Sequence, residues 1–182
     1  FIAILGEEVT PKQNDEYFAI HLNALGISEK IDPLSEGDKS KILKDNFDLI
    51  SKSGGIVQLN HPSFDFTNPE AIKGLQGKYL VEIYNYSAAN EKGIGKLARI
   101  VFEQAWDNAL SYGHEAYGVA ADDAHDYVEF KSGKNNPGGG WIMVNVDKLG
   151  IDEILKSIRE GKFYSSTGVS LKSVQFDKKT FK

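Results

Sequence analysis

Residues 117–125 read YGVAADDAH. A short apolar-leaning strand runs directly into two aspartates and a histidine, and ionised carboxylates are costly to bury unless something pairs with them. The same arrangement recurs upstream. FIAIL (1–5), an uninterrupted apolar run that reads as a buried strand, passes through Gly6 to Glu7-Glu8. GIVQLN (55–60) delivers His61-Pro62, KYLVEIYN (78–85) is a further strand, and Tyr17–Leu25 is a strand with His21 in its interior. Segments of helical period fill the intervals. Ile42, Leu43, Phe47 and Ile50 follow an N-cap at Ser35, and Asn68-Pro69-Glu70 opens a short helix. Leu97, Ile100, Val101, Ala105, Trp106 and Leu110 share one face of a long helix over 91–112 that Gly113 stops. IDEILKSIREG (151–161) is the last helix; WIMVNV (141–146) is a strand, and KFYSSTGVSLKSVQF (162–176) reads as two short strands joined at Thr167-Gly168. Strand and helix alternate at intervals of roughly 25–35 residues, which predicts an α/β fold of βαβ units with a parallel sheet.

With 182 residues, 41% hydrophobic and 26% charged, the chain suits one globular domain over 1–182. It contains no apolar run near the length a membrane span requires, which predicts a soluble protein. A net charge of −5 argues against nonspecific nucleic-acid binding and leaves a nucleotide substrate open, because bound cations invert the local sign. There is no cysteine, so any metal must be held by His, Asp and Glu. The chain opens on Phe1 and its one methionine is Met143, from which we expect further residues upstream. No G-x-S-x-G elbow is present, which disfavours a serine hydrolase. The Pro137-Gly138-Gly139-Gly140 run lacks the Lys-Ser/Thr of a phosphate-binding loop and reads as a flexible turn.

Position is the informative property of the polar residues. Glu7/Glu8, His61 and Asp122/Asp123/His125 each follow a different predicted strand, and His21 lies in another. In parallel α/β architectures the C-terminal strand ends converge on the face that carries the site. Taken singly, these residues read as a solvated turn, a satisfied core histidine, a strand terminator and an Asx turn. Taken together they point to a hard or borderline divalent cation held by N and O donors. His114, beside Gly113 at a helix end, reads as structural. Tyr84 and Tyr86 either stack a substrate ring or cover the rim, and Glu82 faces inward or outward according to an alternation the sequence leaves open.

In order along the chain, G-E-E-V-T (6–10), H-L-N-A-L-G (21–26), N-H-P (60–62), V-E-I-Y-N (81–85) and D-D-A-H (122–125) resemble the PHP (polymerase and histidinol phosphatase) family. Trp106-Asp107-x-x-Leu110-x-x-Gly113, Gly118, and the tail from Gly140-Trp141-Ile142 to Ser165-Ser166-Thr167-Gly168 resemble its carbaryl-hydrolase-like metallohydrolase branch. The resemblance implies a distorted (β/α)7 barrel holding two or three divalent ions (manganese, iron or zinc). The family's opening H-x-H and D-H motifs are absent, so a partial barrel from about the third strand onward is expected. It implies metal ligation by Glu8, His21, His61, Asp123 and His125, with Glu8, His61 and Asp123 also catalytic and Asp122 supporting them or ligating in their place. The implied activity is hydrolysis of a small-molecule phosphoester by a metal-activated water. A carboxyl or carbamate ester hydrolase on the same site, and an inactive remnant or binding module, are the alternatives.

Overall fold

The sheet expected to be parallel is antiparallel over half of its strand pairs. In the computed structural model, which describes residues 1–13, 16–17, 20–62, 69–91, 95–131 and 133–174, five strands form one open sheet: β1 (Gly6–Val9), β4 (Leu22–Leu25), β5 (Ile56–Leu59), β6 (Lys78–Asn85) and β7 (Glu115–Ala121), in that spatial order. β1–β4 and β4–β5 pair antiparallel, whereas β5–β6 and β6–β7 pair parallel. The two-residue strands β2 (Lys12–Gln13) and β3 (Glu16–Tyr17) form a ribbon between β1 and β4. A tight reversal of this kind leads to an antiparallel neighbour, because a parallel one needs a crossover of a dozen or more residues. The remaining strands, β8 (Trp141–Val144) and β9 (Phe163–Ser166), pair only with each other.

The distorted (β/α)7 barrel implied by the resemblance is therefore corrected. The described residues form a small α/β domain with a mixed five-stranded sheet and four helices, and β1 and β7 are its two edges rather than neighbours that close it. Other local expectations change with it. Residues 1–5 are not in a strand, and Phe1 and Leu5 are exposed. Asp38, not Ser35, caps α1 (Lys39–Lys52), accepting from Lys41 N at 2.9 Å. The helix expected over 91–112 is α3 (Gly95–Ser111), with Leu97, Ile100 and Leu110 exposed on it; a short helix that was not expected, α2 (Tyr86–Asn90), precedes it. A 3-10 turn over Pro69–Ala71 stands where a short helix was expected, and Asn68 lies outside the described residues. α4 (Ile151–Arg159) forms as expected; of the two strands expected in the tail, β9 forms, residues 169–174 are not in a strand, and 175–176 lie outside the described residues.

Strand alternation sends successive side chains to opposite faces. Val9, Leu22, Ala24, Val57, Leu59, Tyr79 and Val81 pack with Ile42, Leu43, Phe47 and Ile50 of α1 and Ala105 and Ala109 of α3. Ile56, Leu80 and Val119 pack on the other face with Leu155 and Ile158 of α4, joined by Ile142, Val144 and Phe163 of the antiparallel β8–β9 pair. Trp106 is half-buried against the first cluster and donates Nε1–H to Ala116 O at 3.0 Å, which makes it a packing residue. Among the described residues, no helix is long and apolar enough to cross a membrane.

His114 is structural, as expected, but as a neutral ring. Its Nδ1 lies 2.8 Å from the hydroxyl of fully buried Tyr79, and burial lowers its pKa. A lowered folded pKa means that the unfolded chain binds the proton more readily. His114's contribution is thus complete above the ordinary value near 6.5 and is lost as pH falls through the depressed folded pKa. Urea midpoints measured from pH 7.5 down to pH 5 are expected to fall in the parent and to fall less in His114→Gln, which has no imidazole to protonate. Parallel profiles for the two proteins would reject the coupling.

Candidate metal centre

Antiparallel pairing is what assembles the site. β4 runs against β5, so His21, immediately before β4, lies beside His61, immediately after β5; Asn60 N donates to His21 O at 3.0 Å there. β1 runs against β4 in turn, and its register sets Glu8 opposite Asn23 at the same end of the sheet. Glu8 Oε1 lies 2.9 Å from His21 Nδ1 and 3.8 Å from His61 Nε2, and the two imidazole rings meet edge-on with centroids 4.9 Å apart. One ligand atom from each of the three residues lies within 4.8 Å of the other two. Donors about 2 Å from a shared tetrahedral zinc stand about 3.3 Å apart, so two imidazoles and a carboxylate at these spacings fit a divalent cation.

Glu7 takes the opposite face. Its Oε2 accepts from Ile31 N at 2.8 Å and has no part in the cluster. The Glu8 carboxyl is held well below the usual carboxylate range, chiefly by hydrogen bonding to His21 and then to His61, against the opposing effect of burial. Burial disfavours the charged form of His61. The hydrogen bond to Glu8 and the fields of Glu82 and Asp123 outweigh it, so its pKa is raised.

Asp123 and His125, carried beyond β7, line the same pocket of about 460 Å³ as Glu8, His21 and His61. His125 Nε2 is 3.8 Å from Asp123 Oδ1, and neither residue belongs to the close three-residue group. All five residues proposed from the sequence thus face one cavity, three of them at ligand spacing. Asp122 does not. Its carboxylate accepts from the backbone N–H groups of Gly138, Gly139 and Gly140 at 2.7–2.8 Å. The glycine run is therefore not the flexible turn expected: a Cβ on Gly139 would come within 2.1 Å of the Tyr86 ring, and one on Gly140 within 3.1 Å of the Tyr84 ring. These two tyrosines pack on the loop that Asp122 pins.

Sequence reading left the support of the site out. Asn23, Gln58, Asn60 and Glu82 share one sheet face and join across three strands. Asn60 Nδ2 donates to Asn23 Oδ1 at 2.8 Å and to Glu8 Oε1 at 3.4 Å, while Gln58 Nε2 donates to Asn60 Oδ1 at 3.0 Å and to Glu82 Oε1 at 3.1 Å. Glu82, 2% exposed, also accepts His61 N–H at 2.5 Å and Asn85 Nδ2 at 3.1 Å. Asn85 donates in addition to Asp123 Oδ2 at 3.2 Å and caps α2 by accepting from Ala88 N at 2.9 Å. Polar residues inside otherwise apolar strands, Gln58 and Asn60 in IVQLN and Glu82 in LVEIYN, are the signal that could have found this row.

Among the described non-glycine residues, positive φ occurs at His61 (25°) and Asp123 (49°). Such backbones persist only where the surroundings over-determine them. Here the bonds through Glu82 and Asn85 reach both residues, and both line the pocket. No protein-family model matches the chain, and no curated protein matches it.

Proposed function

We propose that this chain is a metal-dependent hydrolase of the PHP type, acting on a small-molecule phosphoester. The observation that carries the reading is the convergence of Glu8 Oε1, His21 Nδ1 and His61 Nε2, three donors brought from separate strands to one pocket end. Glu8, His21 and His61 would hold the first cation, with Asp123 and His125, which line the same pocket, as donors for a second. When bound, divalent cations supply Lewis acidity toward the ester oxygens and lower the pKa of water.

The chain's own residues do the rest. Glu8 arrives ionised, so no carboxyl proton needs to be displaced on loading. Glu82 fixes the His61 backbone, and Asn85 fixes the Asp123 carboxylate, each through a hydrogen bond. His61 would serve as a ligand through Nε2, and Asp123, with two carboxylate oxygens in the same pocket, would orient the attacking water or take its proton.

One observation favours a carboxyl or carbamate ester instead: among the described residues, neither lysine nor arginine lines the pocket to meet a phosphate dianion. Turnover of p-nitrophenyl phosphate and p-nitrophenyl acetate by protein loaded with manganese or zinc separates the readings. Phosphate ester turnover that a chelator abolishes and metal restores is the expected result. Turnover of the acetate alone moves the assignment to the ester reading, and metal binding with neither turnover moves it to a binding module.

A further inference from the structure

Two chemically distinct groups line the pocket: Glu8, His21, His61, Asp123 and His125, and the apolar Leu97, Ala98, Val101 and Phe102 of α3, with Ser87 and Glu91 of the α2 segment also in the lining. The four α3 residues recur at i, i+1, i+4 and i+5, which places them on one stripe of the helix. Farther along α3 the stripe continues as Ala105 and Ala109, which bury against the sheet. Toward the helix start it continues into the cavity, and Leu97 is left 45% exposed, although Val101 and Phe102 behind it are 4% and 6% exposed. At about 1.5 Å rise per residue the stripe from Leu97 to Phe102 is about 7.5 Å long, the span of a substituted six-membered ring. The volume of about 460 Å³ leaves room beside the polar group, since a cavity of about 150 Å³ already takes a benzene ring.

We propose that this α3 stripe binds an apolar, ring-sized group of the substrate, with Leu97 as a specificity-determining residue; the inference rests on the metal-hydrolase reading above. The ligand class is amphiphilic, with an oxyanion or ester head toward Glu8, His21 and His61 and an apolar body on α3. Sugar phosphates and other polyhydroxylated bodies would leave their hydroxyls unpaired against this stripe.

The test is calorimetry on the full chain, in which zinc is titrated first and phenylphosphonate or methylphosphonate second. The two share a head group and differ in the body, so phenylphosphonate is expected to bind about 10- to 100-fold more tightly. In Leu97→Gln, a change at a half-exposed position, that preference is expected to shrink at least about fivefold, while zinc affinity and thermal midpoint stay at parent values. Equal binding of the two phosphonates, or an unchanged preference in Leu97→Gln, overturns the inference and leaves the metal reading standing. Failure of zinc itself to bind, seen before any phosphonate is added, overturns both.

Discussion

Glu8→Ala is expected to abolish zinc binding while leaving the fold intact. Glu8 Oε1 is the atom that approaches both His21 Nδ1 and His61 Nε2, at 2.9 and 3.8 Å. Without it the close group keeps two imidazoles and loses its carboxylate, so affinity is expected to fall at least about 100-fold. At a free zinc concentration about 100 times its dissociation constant, the parent gains about 2.7 kcal/mol. For a chain of this size that is a rise in Tm of roughly 5–10 °C. The variant is expected to show no such rise. In the metal-free protein the change is mild, because the Glu8 side chain is 44% exposed and an exposed ion pair contributes little. The sign of its pH dependence is set by the lowered pKa: the contribution is present above the unfolded carboxyl value and is lost as pH falls through the folded one. Glu7→Ala, on the opposite sheet face, is the matched control and should retain the full zinc shift. A zinc-induced shift that survives in Glu8→Ala would remove the basis of the proposed function.

The second large effect is on stability. Glu82→Leu is expected to cost about 3 kcal/mol, read as a lower urea midpoint at unchanged slope. Glu82 accepts from Gln58 Nε2, His61 N and Asn85 Nδ2; without it the His61 N–H loses its acceptor, and Gln58 and Asn85 each keep one of two, at Asn60 Oδ1 and Asp123 Oδ2. Each orphaned buried donor costs about 1–3 kcal/mol, partly offset by removing a carboxyl whose own burial is unfavourable. Burial raises the Glu82 pKa, against hydrogen bonds from Asn85 and the His61 backbone. A raised folded pKa makes stability highest below the unfolded value near 4.5 and lowers it as pH rises through the folded pKa. Glu82→Gln, which has no charge to bury, should therefore lack this loss and cost less than Glu82→Leu. Zinc affinity is also expected to drop about tenfold in Glu82→Leu, because His61 loses the bond that holds its backbone. A variant as stable as the parent would show that the polar row contributes no rigidity.

Much of the local structure was legible. The run 78–85 reads as a strand from its composition, and it is β6 residue for residue. β5 and β7 fall within two residues of the runs that announced them. Sheet direction was not legible. LNAL alternates in the same way whether its neighbour runs with it or against it, because alternation reports burial and not partner orientation. The donors nevertheless came together: reversing β4 carried its start, and His21, to the end of the sheet where β5 delivers His61. The supporting amides were hidden for a related reason. Asn60 reaches Asn23 and Glu8 across 37 and 52 residues of chain, separations that no local pattern encodes.

By itself the amino-acid order determined which residues could ligate a cation and that all but His21, read as interior to a strand, follow strand ends, because both come from side-chain chemistry and local periodicity. Only the tertiary structure decided that Glu8, His21 and His61 meet while Asp122 ties down a glycine loop and Glu7 faces away. Strand direction, register and sheet face arise from contacts between distant segments, and these decide which of several chemically equivalent carboxylates reaches the pocket.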